Sequence, residues 1–160
     1  MELSSEELEQ RVAVVRRFKS LLEQQKAKLI EYLDVLELQQ KEIEAEDADA
    51  IMAHTRLEEQ IVNNIGTLQK VIAPIEEMYA SFSSAGLKAA DLRSVAEVQA
   101  DLSDLHCRIQ QQSRHNRDLL RNHMEVLKQQ LTDMRNPFRN GRSVYADAAQ
   151  DIGNIIHVNA

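Results

Sequence analysis

Tryptophan is absent from this 160-residue chain, and three Phe and three Tyr are its whole aromatic complement. A deep aromatic-lined pocket for a small molecule or cofactor is therefore disfavoured. Glycine occurs four times and proline twice, too few to turn the many short strands of a sandwich or barrel, so an all-β fold is all but excluded. The single Cys107 has no partner for an internal disulfide, and no CxxC or paired-ligand spacing surrounds it; it reads as a reduced, structural thiol. No 18-residue apolar run is available to cross a bilayer, and the opening MELSSEELEQ is acidic where a secretory signal is basic and then apolar. The expected location is cytoplasmic, with no membrane insertion. Nineteen basic residues face 26 acidic ones, a net charge of −7 that argues against nucleic acid as a partner.

Long aliphatic stripes fill the space that these absences leave. Steps of four and three from Leu8 pass through Val12, Val15, Lys19, Leu22, Lys26, Leu29, Leu33, Leu36, Gln40 and Ile43, and eight of these eleven positions are apolar. That rhythm predicts a long helix over 4–46 with a narrow buried seam, widened by Phe18, Leu21 and Ile30. Ser4 followed by Glu7 forms a capping-box pattern at its start. The acids of KEIEAEDADA oppose the negative end of a helix but suit a helix start, which places a break near 44–50 with Asp47 or Asp49 as the next cap. A second helix over 50–82 carries Ile51, Ile61, Ile65, Leu68, Ile72, Ile75, Tyr79 and Phe82, with Pro74 predicting a kink or local disruption. A third, over 91–135 with Asp91 as its cap, carries Leu92, Val95, Val98, Leu102, Leu105, Ile109, Leu119, Leu120, Leu127, Leu131 and Met134. Its stripe lapses into the polar QQQSRHNRD between Gln110 and Asp118. Asn136-Pro137 stops it.

The fold class expected is all-α: an elongated antiparallel bundle or coiled coil of about three long helices, a domain over 1–135, followed by an amphipathic tail over 136–160. Val144, Ala148, Ile152, Ile155 and Ile156 recur along the tail at helical spacing, while Gly153 weakens it by about 1 kcal/mol relative to Ala, so its order is expected to come from contact with something else. Residues 91–135 carry seven charges of each sign, and 1–47 carry seven basic and twelve acidic groups, so a charge fit between the first helix and the Arg-rich middle of the third could set register.

Catalytic and metal chemistry has little to stand on. A di-iron bundle needs Glu-x-x-His pairs on two helices, and no acid stands three residues before any of the five His. His54 and Glu58 share a helix face and read as a surface or interface pair; His115 and His123 lie eight apart with no acid or Cys to complete a ligand set. There is no phosphate-cradling Gly-rich loop and no nucleophile elbow. No enzyme activity, cofactor or metal is expected. The string Arg108, Arg114, Arg117, Arg121 is diluted by Asp104, Asp118 and Glu125 and reads as a solvated face. What remains is the physics of a protein that binds proteins.

The long leading helix with LLEQQK at Leu21 to Lys26, the second helix after an acidic turn, the Asn116-x-x-Leu119-Leu120 pattern in RHNRDLL, and Tyr145 opening an apolar tail together resemble the FlgN-like flagellar type III export chaperones over nearly the whole chain. The resemblance implies a chaperone for hook-filament junction proteins that also meets the cytoplasmic domain of the export gate. It implies protein-binding roles for Tyr145, Val144, Ile152, Ile155 and Ile156 in the tail, and for Asn116, Leu119 and Leu120. Where the family places Gly close behind the tyrosine, Ala146, Asp147 and Ala148 stand here. The alternative expectation is a structural coiled-coil adaptor whose stripes serve homo-oligomerisation, and a homodimer is among the partners to be considered.

Overall fold

The computed structural model describes residues 3–82 and 86–135. Three helices account for them: α1 (Ser5–Glu44), α2 (Ala48–Ser81) and α3 (Ala89–Arg135). The chain divides into two units, Met1–Leu119 and Leu120–Ala160. The first holds α1, α2 and α3 as far as Leu119; the second is described through Arg135. The all-α expectation holds, with no strand among the described residues.

Each helix in the first unit starts and stops for a local reason. The Ser4 hydroxyl accepts from the Glu7 N–H at 3.2 Å while the Glu7 carboxylate accepts from the Ser4 N–H at 3.0 Å, closing the capping box at the head of α1. At the far end, the Asp47 N–H donates to the Glu42 carbonyl and the Glu46 N–H to the Ile43 carbonyl, both at 3.1 Å. This is a Schellman closure with Glu46 in the left-handed position at φ 57°. Asp47 then caps α2, its carboxylate accepting from the Ala50 N–H at 3.0 Å. The acidic turn is thus three residues long, Ala45 to Asp47. Pro74 lies inside α2, which runs on uninterrupted to Ser81; the expected disruption is not seen, and the ring removes one N–H donor without ending the helix. Asp91 is not the cap of α3. That helix begins at Ala89, the Lys88 carbonyl accepts from the N–H groups of Asp91 and Leu92, and Asp91 sits in the first turn.

Cross-helix bonds give the directions. Gln25 meets Gln69 and Tyr32 meets Glu58, so α2 runs antiparallel to α1. Lys26 meets Asp101 and Gln40 meets Gln112, so α3 runs parallel to α1. The core between them is formed by Val15, Phe18, Leu21, Leu22, Leu29, Leu33 and Leu36 of α1, Ile72 of α2, and Val95, Val98, Leu102, Leu105 and Ile109 of α3. Ile65, Leu68, Ile75 and Tyr79 of α2 pack against its edge. The Phe18 and Tyr79 rings meet at a centroid distance of 4.8 Å, tilted by 35°, and the Arg11 guanidinium lies 5.3 Å from the centre of the Phe82 ring. Ile30, expected to widen the seam, is exposed, whereas Val35, off the stripe, is buried. Ahead of α3, Gly86 has φ 82°, and a Cβ there would lie 2.7 Å from the Leu8 methyl. Only glycine satisfies both conditions without strain.

Candidate functional site: a polar clasp and an exposed stripe on the third helix

In the first unit the apolar seam of α3 gives way to side chains that reach back across the bundle. Val95, Val98, Leu102, Leu105 and Ile109 step by three and four, and the next steps on that face are Gln112 and Asn116. Asn116 is buried, and its amide donates to the Leu36 carbonyl at 2.7 Å and to Gln39 Oε1 at 3.1 Å. The Gln112 amide donates to Asn116 Oδ1 at 2.9 Å and to Gln40 Oε1 at 2.7 Å. Gln39 in turn donates to Glu58 at 3.5 Å, and the Tyr32 hydroxyl donates to the same carboxylate at 2.8 Å. One chain of bonds therefore links all three helices. Burial, and then the hydrogen bond to Glu58, push the Tyr32 phenol well above its ordinary range, so it stays a donor at any physiological pH.

Asn116 thus lies inside the bundle as an internal anchor, and Leu119 is half-buried. The charge fit between α1 and α3 takes the form Lys26 Nζ to Asp101 at 2.7 Å, with the cation on α1 and the acid on α3, the reverse of a pairing with α3's arginines. Around this pair a groove is lined by Asp34, Glu37, Asp104 and Arg108. A more apolar groove runs along the α1–α2 side, lined by Ala27, Leu68 and Val71 among others. Glu58 is occupied by Tyr32 and Gln39, while His54 keeps a buried Nδ1 without a hydrogen-bond partner. No group of three His, Cys, Asp or Glu side chains suited to a metal ion occurs among the described residues. Cys107 is exposed rather than packed, with Gln111 donating to its Sγ at 3.6 Å.

The second unit is different in character. Leu120, Met124, Leu127, Leu131 and Met134 follow steps of four and three, and all are exposed, Met134 to 79%. This spacing is the one that helices use when they pack against another helix. Spacing alone puts Leu120, Leu127, Leu131 and Met134 on the apolar stripe of the third helix without telling whether that stripe is covered, and it does not single out Met124. Tyr145, Val144, Ile152, Ile155 and Ile156 lie outside the described residues.

The family model for FlgN protein matches residues 5–151, from the head of α1 through the exposed stripe and beyond it. The chain belongs to the FlgN family. An uncharacterized protein of Treponema pallidum (strain Nichols) is 34% identical over 157 residues, 98% of this chain and 96% of that protein. No solved structure matches. FlgN is a family of flagellar export chaperones and not of enzymes, so membership points to a role in flagellum biogenesis through protein binding. No helix among the described residues is long and apolar enough to cross a membrane.

Proposed function

We propose that this chain is a cytoplasmic flagellar type III export chaperone that binds hook-filament junction proteins, keeps them unassembled, and delivers them to the cytoplasmic domain of the export gate. The observation that carries this reading is the exposed stripe from Leu120 to Met134, which lies within the span of the FlgN match and precedes residues 136–160, of which the match takes in those up to 151. A client kept unfolded for secretion exposes apolar segments that would otherwise self-associate. The exposed stripe, together with the apolar Val144, Ile152, Ile155 and Ile156 that follow it in the sequence, would offer those segments a transient partner. Any ordering of chain on capture costs several kcal/mol, which holds affinity down and lets the client leave at the gate without nucleotide chemistry in the chaperone.

Homo-oligomerisation through the first helix is poorly supported. Leu29, Leu33 and Leu36, the seam such an adaptor would share between copies, are consumed in the chain's own core. The test is co-purification of a junction protein with the full chain, with Tyr145→Ala, with Ile152→Asp/Ile155→Asp, and with a chain ending at Asn136, circular dichroism checking that each stays helical. Loss of the client from the tail variants with helicity intact is the expected result. Undiminished capture by all three would defeat the proposal.

A further inference from the structure

The exposed stripe of the second unit has a charged border on one side only. Arg121, Lys128 and Arg135 recur at seven-residue intervals, each one position after a stripe residue: Leu120, Leu127 and Met134. At about 100° per residue, three basic groups therefore line one flank of the apolar face. His123 and Gln130 hold the equivalent places on the other flank, while Glu125 and Asp133 fall on the outer side of the helix, where Asp133 accepts from Gln129 at 3.3 Å. Arg121 already has an interaction of its own, and Lys128 and Arg135 continue the row. In paired helices the positions beside the apolar seam decide which partner is accepted.

Resting on the chaperone reading above, we infer that this surface docks an amphipathic client helix of about four turns whose apolar residues follow steps of four and three and whose flank facing Lys128 and Arg135 is acidic. A second copy of the chain is the wrong occupant. Two copies paired antiparallel set basic row against basic row, and two paired in parallel set it against His123 and Gln130, neither of which supplies a negative charge. An anionic bilayer is a weaker match too: residues 120–135 carry three basic and two acidic side chains, a net +1 in a chain of −7, and the two acids share the outer face. The row is directional and narrow, which suits one helix lying alongside another.

Two synthetic 18-residue helical peptides with the same Leu/Ile stripe, one flanked by Glu and one by Lys, test this by fluorescence anisotropy against the full-length chain. The Glu peptide is expected to bind roughly tenfold tighter at low salt, the sum of a few exposed pairs, with the preference narrowing as salt rises. Lys128→Glu/Arg135→Glu should invert the order, and Leu127→Asp should abolish binding of both. Equal binding of the two peptides, or an order unchanged by the charge reversal, overturns the inference. So does a dimer in sedimentation equilibrium that Leu127→Asp dissociates, or flotation with phosphatidylserine vesicles that Lys128→Glu/Arg135→Glu removes. A gain in peptide affinity in Ile152→Asp/Ile155→Asp would give the stripe to the chain's own last residues, with the same consequence. A junction protein captured equally well by the wild-type and charge-reversed chains would sink this inference while leaving the chaperone role standing.

Discussion

The buried amide of Asn116 donates to the backbone carbonyl of Leu36 at 2.7 Å, eighty residues away in sequence. Leu36 is itself almost wholly enclosed, its side chain in the core and its carbonyl turned to α3. A single side chain therefore ties the apolar seam to the polar clasp, and does so where the seam of α3 ends. A dry helix pair can slide by a turn at modest cost; a buried amide that must meet one carbonyl and one glutamine cannot. Gln112 and Gln39 complete the bonds on either side of it.

Asn116→Ala leaves the Gln112 amide and Gln39 Oε1 short of a partner and should cost about 1–2 kcal/mol in urea unfolding. Asn116→Asp should cost more, about 3 kcal/mol at neutral pH, because a carboxylate would face the Leu36 carbonyl and Gln39 Oε1, both acceptors. That environment raises the pKa of the introduced carboxyl in the folded state. The folded state then binds the proton more tightly than the unfolded chain does, so the deficit should shrink as pH falls. An Asn116→Asp variant as stable as wild type at neutral pH would remove the clasp from the account.

Glu46 holds a left-handed conformation at φ 57° in the Schellman turn between α1 and α2. An L side chain there costs about 1 kcal/mol or more relative to glycine. Glu46→Gly keeps both closing hydrogen bonds, which come from backbone, and should raise stability by about 0.5–1 kcal/mol after the unfolded chain's extra freedom is counted. A lower midpoint of thermal denaturation in Glu46→Gly would contradict this.

Gly86 makes the opposite case. Its φ of 82° and the Leu8 methyl 2.7 Å from any added Cβ mean that Gly86→Ala combines backbone strain with a clash against the first turns of α1. The expected loss is about 1–3 kcal/mol. Pairing it with Leu8→Ala separates the two causes: recovery of part of the loss assigns that part to the clash, and no recovery assigns all of it to the backbone.

Local chemistry and regular periodicity were legible in the sequence. The Ser4 and Glu7 capping box, a cap at one of Asp47 and Asp49, the seam from Val15 to Leu36 and that from Val95 to Ile109 all follow from spacing and side-chain type, and the structure chooses Asp47. What escaped depends on tertiary pairing. Gln25 is buried because Gln69 of α2 reaches it at 2.8 Å, which nothing near Gln25 announces. Ile30 lies on the edge of an apolar arc yet faces an open groove, since a stripe's width is set by its neighbours. The inward placement of Asn116 is within reach of the sequence. The residue falls on the next step of the same three-and-four rhythm as Ile109 and Gln112, so the polar lapse was a change of chemistry on one face rather than a break in the helix. The exposure of Leu127 and Leu131 could not be foreseen, because an uncovered stripe and a buried one have the same spacing.

The Tyr32 hydroxyl supplies the last prediction, through its 2.8 Å bond to Glu58. Burial and the neighbouring carboxylate raise the folded-state pKa of the phenol above its ordinary value of 10.0. For a group raised in this way, the linked stability is fully present below the unfolded pKa and declines once pH climbs past it, as the unfolded chain ionises first. Wild-type stability should therefore be unaffected by this phenol up to about pH 10 and fall beyond it. Tyr32→Phe should cost about 1–2 kcal/mol at pH 8, from the lost bond to a charged acceptor, and should lack the alkaline loss that Tyr32 contributes, so that the two unfolding curves converge between pH 10 and 11. Parallel curves across that interval would show that the Tyr32 proton is not held by the fold.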